Sequence, residues 1–206
     1  MELLRFDGHI VGAGFASGHT IVAGRWRTSP LGPFADAMWR RPDGSRVLFA
    51  PTDDVEAFVE RHYTFEDARV ARVRVERDAA GVVRLTAGPI ELVLRARRRG
   101  IGGRLLRVRP QALRERPAWI TIEDTVLRPL VSPLFAASDV RVRGRTRNGA
   151  REWYAIHDVL PADATATIAG EDLGDPSLAP APAGFGFSEI PATPSIVRVT
   201  SLIERR

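Results

Sequence analysis

Residues 140–159 read VRVRGRTRNGAREWYAIHDV, and this stretch decides the fold class. Asn148-Gly149 lies between two runs rich in β-branched and aromatic residues, and Asn-Gly is the strongest short-range signal for a β-hairpin. A two-residue turn there pairs Arg145 with Glu152. This register predicts a water-facing ladder of arginines that includes Glu152, with Trp153 on the inner face of the sheet.

Short β-like segments recur on both sides of this hairpin. The turn Pro42-Asp43-Gly44 joins two further arms, and alternation of apolar and polar residues marks most of the others. The predicted strands are 10–15, 20–26, 34–40, 46–50, 72–76, a second strand after the turn at 78–81, 90–97, 140–147, 150–159 and 196–203. We therefore expect a mostly β (α+β) fold, an antiparallel β-barrel or cone-like sheet with two or three peripheral helices. No repeat or linker divides the chain, so residues 1–206 are expected to form a single domain.

Two helices are predicted between the strands. The first covers 53–62, where Asp53 and Glu56 form a capping-box pattern. Its apolar stripe consists of Val55, Phe58, Val59 and His62. The second begins at Pro117 and carries Trp119, Ile122, Val126 and Leu127 on one side.

Composition excludes two kinds of covalent chemistry. The chain has no cysteine, and every one of its 30 Lys+Arg residues is arginine. A lysine Schiff base and a cysteine nucleophile are therefore both excluded. Neither a cofactor motif nor metal-ligand spacing is present, so we expect no cofactor and no metal. Without a long apolar run or a signal peptide, the sequence predicts a cytoplasmic protein that does not enter a membrane.

Two elements between Gly32 and Val75 resemble the acetoacetate decarboxylase family. Gly32-Pro33-Phe34-Ala35-Asp36 matches its Gly-Pro-Tyr-x-Glu element, which enters a hairpin. Tyr63-Thr64-Phe65-Glu66-Asp67 takes the place of its Trp-Gly-Phe-Pro-Lys element, at the end of a helix. The resemblance implies the family's scaffold. It also implies that Glu66 or Asp67 replaces the catalytic lysine, so this chain is not a Schiff-base decarboxylase.

Asp36 is the first candidate catalytic residue. The hairpin register places it on one face with Phe34 and Met38, which are candidate ligand-binding residues. A carboxylate on an apolar face should have a raised pKa or a partner, and such acids often mark functional sites. Glu66 joins it as a candidate because of the family resemblance. The alternative for Asp36 is a solvated acid near the start of its strand.

His157 is the third candidate catalytic residue. A histidine can act as an acid or a base near neutral pH. Arg151 and Trp153 lie beside it on the inner face, and we expect them to contact an acidic ligand. A histidine that is simply satisfied within the core is the alternative.

Together these features predict a barrel that binds a small organic ligand in an interior pocket. If the protein is an enzyme, the class still compatible with the sequence is a lysine-independent lyase or hydratase that acts on a small organic (keto) acid. The sequence does not decide whether the protein catalyses a reaction. The alternative is a non-enzymatic module that binds nucleic acid or another anionic partner. This module would use the arginine cluster of the chain, which lacks interleaved aromatic residues, so binding of nucleic acid is disfavoured. The sequence also leaves open whether the protein forms a homo-oligomer. The cluster comprises Arg95, Arg97, Arg98, Arg99, Arg104, Arg107 and Arg109.

Overall fold

A computed structural model describes residues 2–98, 104, 113–127, 140–177 and 182–205. The strands in this part of the chain are β1 (Leu3–Gly14), β2 (Thr20–Thr28), β3 (Phe34–Arg40), β4 (Arg46–Ala50), β5 (Asp67–Val70), β6 (Val73–Arg77), β7 (Val82–Ala87), β8 (Ile90–Ala96), β9 (Arg143–Arg145), β10 (Arg151–Ile168), β11 (Glu171–Asp172) and β12 (Ser195–Glu204). The helices are α1 (Asp53–His62) and α2 (Pro117–Ile122), and a π-helical turn, Glu123–Leu127, extends α2.

The predicted mostly β, antiparallel architecture is confirmed. The strands form one sheet in the order β5-β4-β3-β2-β1-β12-β10-β8-β7-β6, and β9 and β11 both pair with β10. Only β4 and β5 pair in parallel among the described strands. β12 lies in the middle of the sheet, between β1 and β10. The two edge strands, β5 and β6, are joined by only Ala71 and Arg72.

The sheet curls so that strands from its two ends share a core. Val75 of β6 and Leu85 of β7 pack in one cluster with Ala37 of β3 and Phe49 of β4. We call the face that carries this core the core face. The other face of β3 and β4 is covered by α1, whose Val55 and Val59 pack on Leu48 and Ala50. We call it the α1 face.

The segment from Phe34 to His62 forms as predicted, because its signals are local. β3, β4 and α1 have the predicted bounds. The N-cap of α1 is Thr52 rather than Asp53, and its hydroxyl accepts a hydrogen bond from the Val55 N–H at 3.4 Å. Val55, Val59 and His62 of the predicted stripe are buried.

The predicted register of the β9–β10 hairpin is wrong by one residue. The Thr146 N–H donates to the Ala150 carbonyl, which leaves a three-residue loop in which Gly149 has a φ of 80°. Arg145 therefore pairs with Arg151, and Gly144 with Glu152. A slip of one residue moves every side chain of a strand to the other face. The arginines of β9 are exposed as expected, but Glu152 is buried rather than solvated.

The predicted apolar side of the second helix is also wrong. Ile122 and Val126 are exposed, whereas Ile120 is fully buried against Trp153 and Leu202. The helix changes to a π-helical turn at Glu123, which breaks the 3.6-residue spacing behind the prediction. Within the described ranges, no helix is long and apolar enough to cross a membrane.

Candidate functional site

Asp36 is a buried acid on the α1 face of the sheet. It is 2% exposed, and its Oδ1 accepts a hydrogen bond of 3.0 Å from the Trp26 indole. Burial raises the pKa of Asp36 to about 7, although the Trp26 bond acts in the opposite direction. The carboxyl group thus has both the partner and the raised pKa expected of an acid on an apolar face.

Gly24 makes room for the contact between Asp36 and Trp26. It lies opposite Asp36 in the β2–β3 ladder. A Cβ atom at this position would lie 2.5 Å from Asp36 Oδ1 and 2.6 Å from Trp26 Nε1. Any other residue would push the carboxyl and the indole apart, so this glycine is part of how the sheet holds the acid.

Glu152 is a second buried acid on the same face. It is 0% exposed, and its Oε1 accepts hydrogen bonds from the hydroxyls of Tyr63, at 2.7 Å, and Ser201, at 2.8 Å. Burial raises the pKa of Glu152 to about 7. Its Oε2 has no hydrogen-bond partner among the described residues, which is rare for a buried oxygen.

Two tyrosines lie next to Glu152, and one of them, Tyr154, also lies within electrostatic range of Asp36. The hydroxyls of Tyr63 and Tyr154 lie 3.2 Å apart, and Tyr63 also binds Glu152. Burial raises the pKa of Tyr154 well above its ordinary value, and the carboxyls of Glu152 and Asp36 both add to the rise. We call Asp36, Glu152, Tyr63, Tyr154 and Ser201 the carboxyl cluster.

A loop covers the carboxyl cluster beside α1. The Phe187 ring stacks on Tyr154 with centroids 5.1 Å apart, and a Cβ at Gly144 would overlap that ring. The Glu189 carboxylate accepts hydrogen bonds from the N–H groups of Ala183, at 2.6 Å, and Gly184, at 3.2 Å. Residues 182–190 therefore form a cover over the cluster that is held by the packing of Phe187 and the hydrogen bonds of Glu189.

Three other predicted site residues lie on this side of the sheet or at its edge, and only two of them are near the cluster. Phe34 and Met38 pack on the α1 face, next to Asp36 in the strand. Glu66 lies at the surface, where Arg46 binds both of its carboxylate oxygens. That hydrogen bonding lowers the pKa of Glu66. The structure therefore brings Phe34 and Met38 near Asp36, but it does not bring Glu66 into the cluster.

His157, Trp153 and Arg151 lie on the core face. Successive side chains of a strand point to opposite faces, so Trp153 points away from Glu152 and Tyr154. His157 Nε2 lies 2.9 Å from Thr200 Oγ1 and 3.4 Å from a Glu115 carboxylate oxygen. Arg151 is exposed, binds Glu204 and lies over the Trp153 ring. These three residues are thus separated from Asp36 by the thickness of the sheet.

Three of the seven arginines of the arginine cluster lie outside the described residues. Arg95, Arg97, Arg98 and Arg104 are described and exposed, and Arg97 lies 3.8 Å from Asp163. Arg99, Arg107 and Arg109 fall in undescribed ranges. In the part of the chain that the structure describes, no group of three His, Asp or Glu residues is placed to hold a metal ion.

Sequence reasoning missed Glu152, Tyr63, Tyr154 and Ser201 as site residues. The assumed two-residue turn put Glu152 opposite an arginine, and so on a water-facing ladder. A three-residue loop would have put it opposite Gly144, which has no side chain to pair with a charge. Tyr63 and Ser201 lie far from it in the chain, and no local pattern links them.

The chain matches no protein-family model and none of the curated proteins with which it was compared. Among solved structures it is similar to a crystal structure at 2.00 Å of a protein from Nitrosomonas europaea provisionally named AttH. The two chains are 13% identical with a TM-score of 0.30, and the match covers 97% of this chain. This chain spans 38% of the length of that protein. The acetoacetate decarboxylase resemblance of residues 32–75 stays a prediction, whereas the mostly β architecture it implies is confirmed.

Proposed function

We propose that the protein binds a small organic molecule noncovalently at the carboxyl cluster, and that Asp36 and Glu152 transfer protons to and from it. This is the chemistry of a lysine-independent lyase or hydratase. The observation that carries the proposal is the buried Glu152 carboxyl, whose Oε2 has no partner among the described residues. A ligand carbonyl or hydroxyl group would supply the missing hydrogen bond.

The electrostatics of the cluster suit acid–base work at neutral pH. An efficient general acid or base has a pKa near the working pH. Burial brings the pKa values of both Asp36 and Glu152 to about 7. Near that pH one carboxyl group can donate a proton while the other accepts one. Both carboxyl groups also raise the pKa of Tyr154, which keeps its hydroxyl protonated and able to donate a hydrogen bond.

The surroundings of the two acids favour an uncharged reacting group. Among the described residues, the hydrogen-bond partners of Asp36 and Glu152 are an indole and hydroxyl groups, not arginines. A carboxylate next to these acids would lack a counter-charge. For a keto acid, the carbonyl end would therefore face the cluster. Entry would require Phe187 to move off Tyr154.

The test uses a matched pair of probes, acetoacetate and the uncharged diketone acetylacetone. Binding is measured by calorimetry, and turnover by NMR, for wild type, Asp36→Asn and Glu152→Gln. Each variant keeps the shape of the side chain while removing its ionisable proton. We expect saturable binding that either substitution weakens by about tenfold or more, the usual effect of losing a hydrogen bond to a buried acid.

Glu66→Gln is the control, because the family resemblance places that residue in the site and the structure places it at the surface. Its binding and turnover should equal those of wild type. Loss of binding in Glu66→Gln alone would move the site to the position that the resemblance implies. If Asp36→Asn and Glu152→Gln bind and react like wild type, both acids are structural and the proposal fails.

A further inference from the structure

Three basic residues lie side by side on the core face, opposite the face that carries the carboxyl cluster. In the ladders, His9 of β1 pairs with Arg25 of β2 and with Arg198 of β12. Side chains directly opposite one another in a sheet have Cβ atoms about 5 Å apart. Like charges in such positions destabilise a sheet. In the row Arg25-His9-Arg198, which we call the basic row, the imidazole therefore lies between two arginines, and protonating it is unfavourable without a counter-ion.

Acidic neighbours offset the charge of the basic row only in part, because Asp7, which acts on both Arg198 and His9, is itself paired with Arg27. Arg77 of β6, across the curled sheet, adds a further positive charge that lowers the pKa of His9. Ion pairs between described residues include neither Arg25, Arg77 nor Arg198. Asp7, one row away, is occupied by Arg27 at 2.5 Å.

Asp158 is the acid that stands beside Arg198 in the β10–β12 ladder. Its Oδ1 also accepts a hydrogen bond from the Val159 N–H at 3.1 Å. Among the described residues, Asp158 offsets one of the charges of Arg25, Arg77 and Arg198, and Asp7 is paired with Arg27, so two positive charges remain.

A β-bulge flanks the basic row on each side. The β1–β2 register shifts next to Arg25, where Arg27 is the extra residue, and the β10–β12 register shifts at His157. Bulges re-aim individual side chains and occur often beside functional sites. Here Arg27 lies at the bulge and pairs with Asp7, and no acid in the described ranges forms an ion pair with Arg25.

His9 is half-buried in the centre of the row. Burial lowers the pKa of His9, and Arg77, Arg198 and Arg25 lower it further. A neutral imidazole among arginines can donate one hydrogen bond to an anion without adding to the repulsion within the row.

We propose that Arg25, His9, Arg198 and Arg77 bind the phosphate group of a small molecule. The guanidinium fork of arginine matches the oxygens of a phosphate with two parallel hydrogen bonds. Two uncompensated positive charges match the charge of a phosphate dianion. The basic row and the carboxyl cluster lie on opposite faces, so this site does not depend on the function proposed for the cluster.

The first experiment follows the imidazole signals of the purified protein by NMR during a pH titration. The probe is sulfate, which keeps two negative charges throughout, and sodium chloride at equal ionic strength is the control. Sulfate should raise the pKa of His9 by about one unit, because a nearby dianion favours the imidazolium. His19, which is bonded to Trp39 outside the row, should not respond. An equal change in sulfate and in chloride would mean screening alone and would overturn the proposal.

Variants then locate the anion. Arg25→Gln and Arg198→Gln should each weaken sulfate binding about tenfold or more, measured from the concentration dependence of the His9 signal. Arg84→Gln removes an exposed arginine of β7 that is paired with Asp78, so it should bind like wild type. All three arginines replaced are exposed, so folding is not at risk. Equal losses in all three variants would overturn the proposal.

Inorganic phosphate and glycerol 3-phosphate, both compared at pH 7.5, distinguish free from esterified phosphate. Tighter binding of either one supports the site and identifies the form of phosphate it takes. If sulfate binds but neither phosphate does, the site is not a phosphate site.

Discussion

Replacing Asp36 with asparagine should change how the stability of the protein depends on pH. The pKa of Asp36 is about 7 in the folded protein, against 3.8 for the ordinary group. Between these values the folded state binds more protons than the unfolded state, so stability falls as the pH rises from about 4 to about 7. A difference of about three pH units corresponds to ~4 kcal/mol at most, at 1.36 kcal/mol per unit. Asparagine keeps a side-chain oxygen that can accept the hydrogen bond from Trp26, and it removes the loss of stability with rising pH.

The assay is urea unfolding of wild type and Asp36→Asn between pH 4.5 and 8. The variant should gain stability relative to wild type as the pH rises, and the difference should level off above about pH 7. Asp43→Asn is the control of opposite sign. Hydrogen bonds from Ser45 lower the pKa of Asp43, so its contribution is lost as the pH falls. A difference between wild type and Asp36→Asn that is the same at pH 5 and pH 8 would refute the buried-acid reasoning.

Three further predictions test the hairpin, the chemistry and the alternative function. Gly149→Val should cost ~1–3 kcal/mol in urea unfolding because φ is 80° there; Gly149→Asn should be milder, and equal stability of the two variants would contradict this. Borohydride with acetoacetate should leave no adduct in a mass spectrum, since the only candidate amine is that of Met1; an internal adduct would disprove it. Nucleic acid should bind weakly and lose affinity with salt. Tight binding at physiological salt, abolished by neutralising residues 97–99, would instead favour the anionic-partner alternative.

The parts of the structure that were predictable from sequence rest on short-range signals. Pro42-Asp43-Gly44 specifies one turn, and the helix that follows has its own apolar stripe, so the bounds of these elements were predicted correctly, although the N-cap is one residue earlier than expected. Asn148-Gly149 signalled a hairpin but not its loop length, since two- and three-residue loops both accept a glycine with positive φ. The length of the loop decides on which face of the sheet Glu152 lies, and no local sequence signal specifies that length.

The candidate site was only half predictable for the same reason. Asp36 could be recognised because its apolar neighbours, Phe34 and Met38, alternate with it along one strand. Glu152 depends on the hydroxyls of Tyr63, 89 residues earlier, and Ser201, 49 residues later. Such contacts follow from the strand order of the sheet, in which β12 separates β1 from β10. Neither spacing nor composition specifies that order.

The central position of β12 also constrains how the chain can fold during synthesis. Residues 195–204 leave the ribosome after every other described strand, yet they form the ladder that joins β1 to β10. Until then a nascent chain exposes unpaired strand edges of both, and such edges promote association between chains. The pairing of Leu3 with Glu204 also joins the first and last described strands, and contacts between residues so far apart in sequence slow folding. The interval between synthesis of β10 and release of β12 is therefore the stage at which a nascent chain is most exposed to association with other chains.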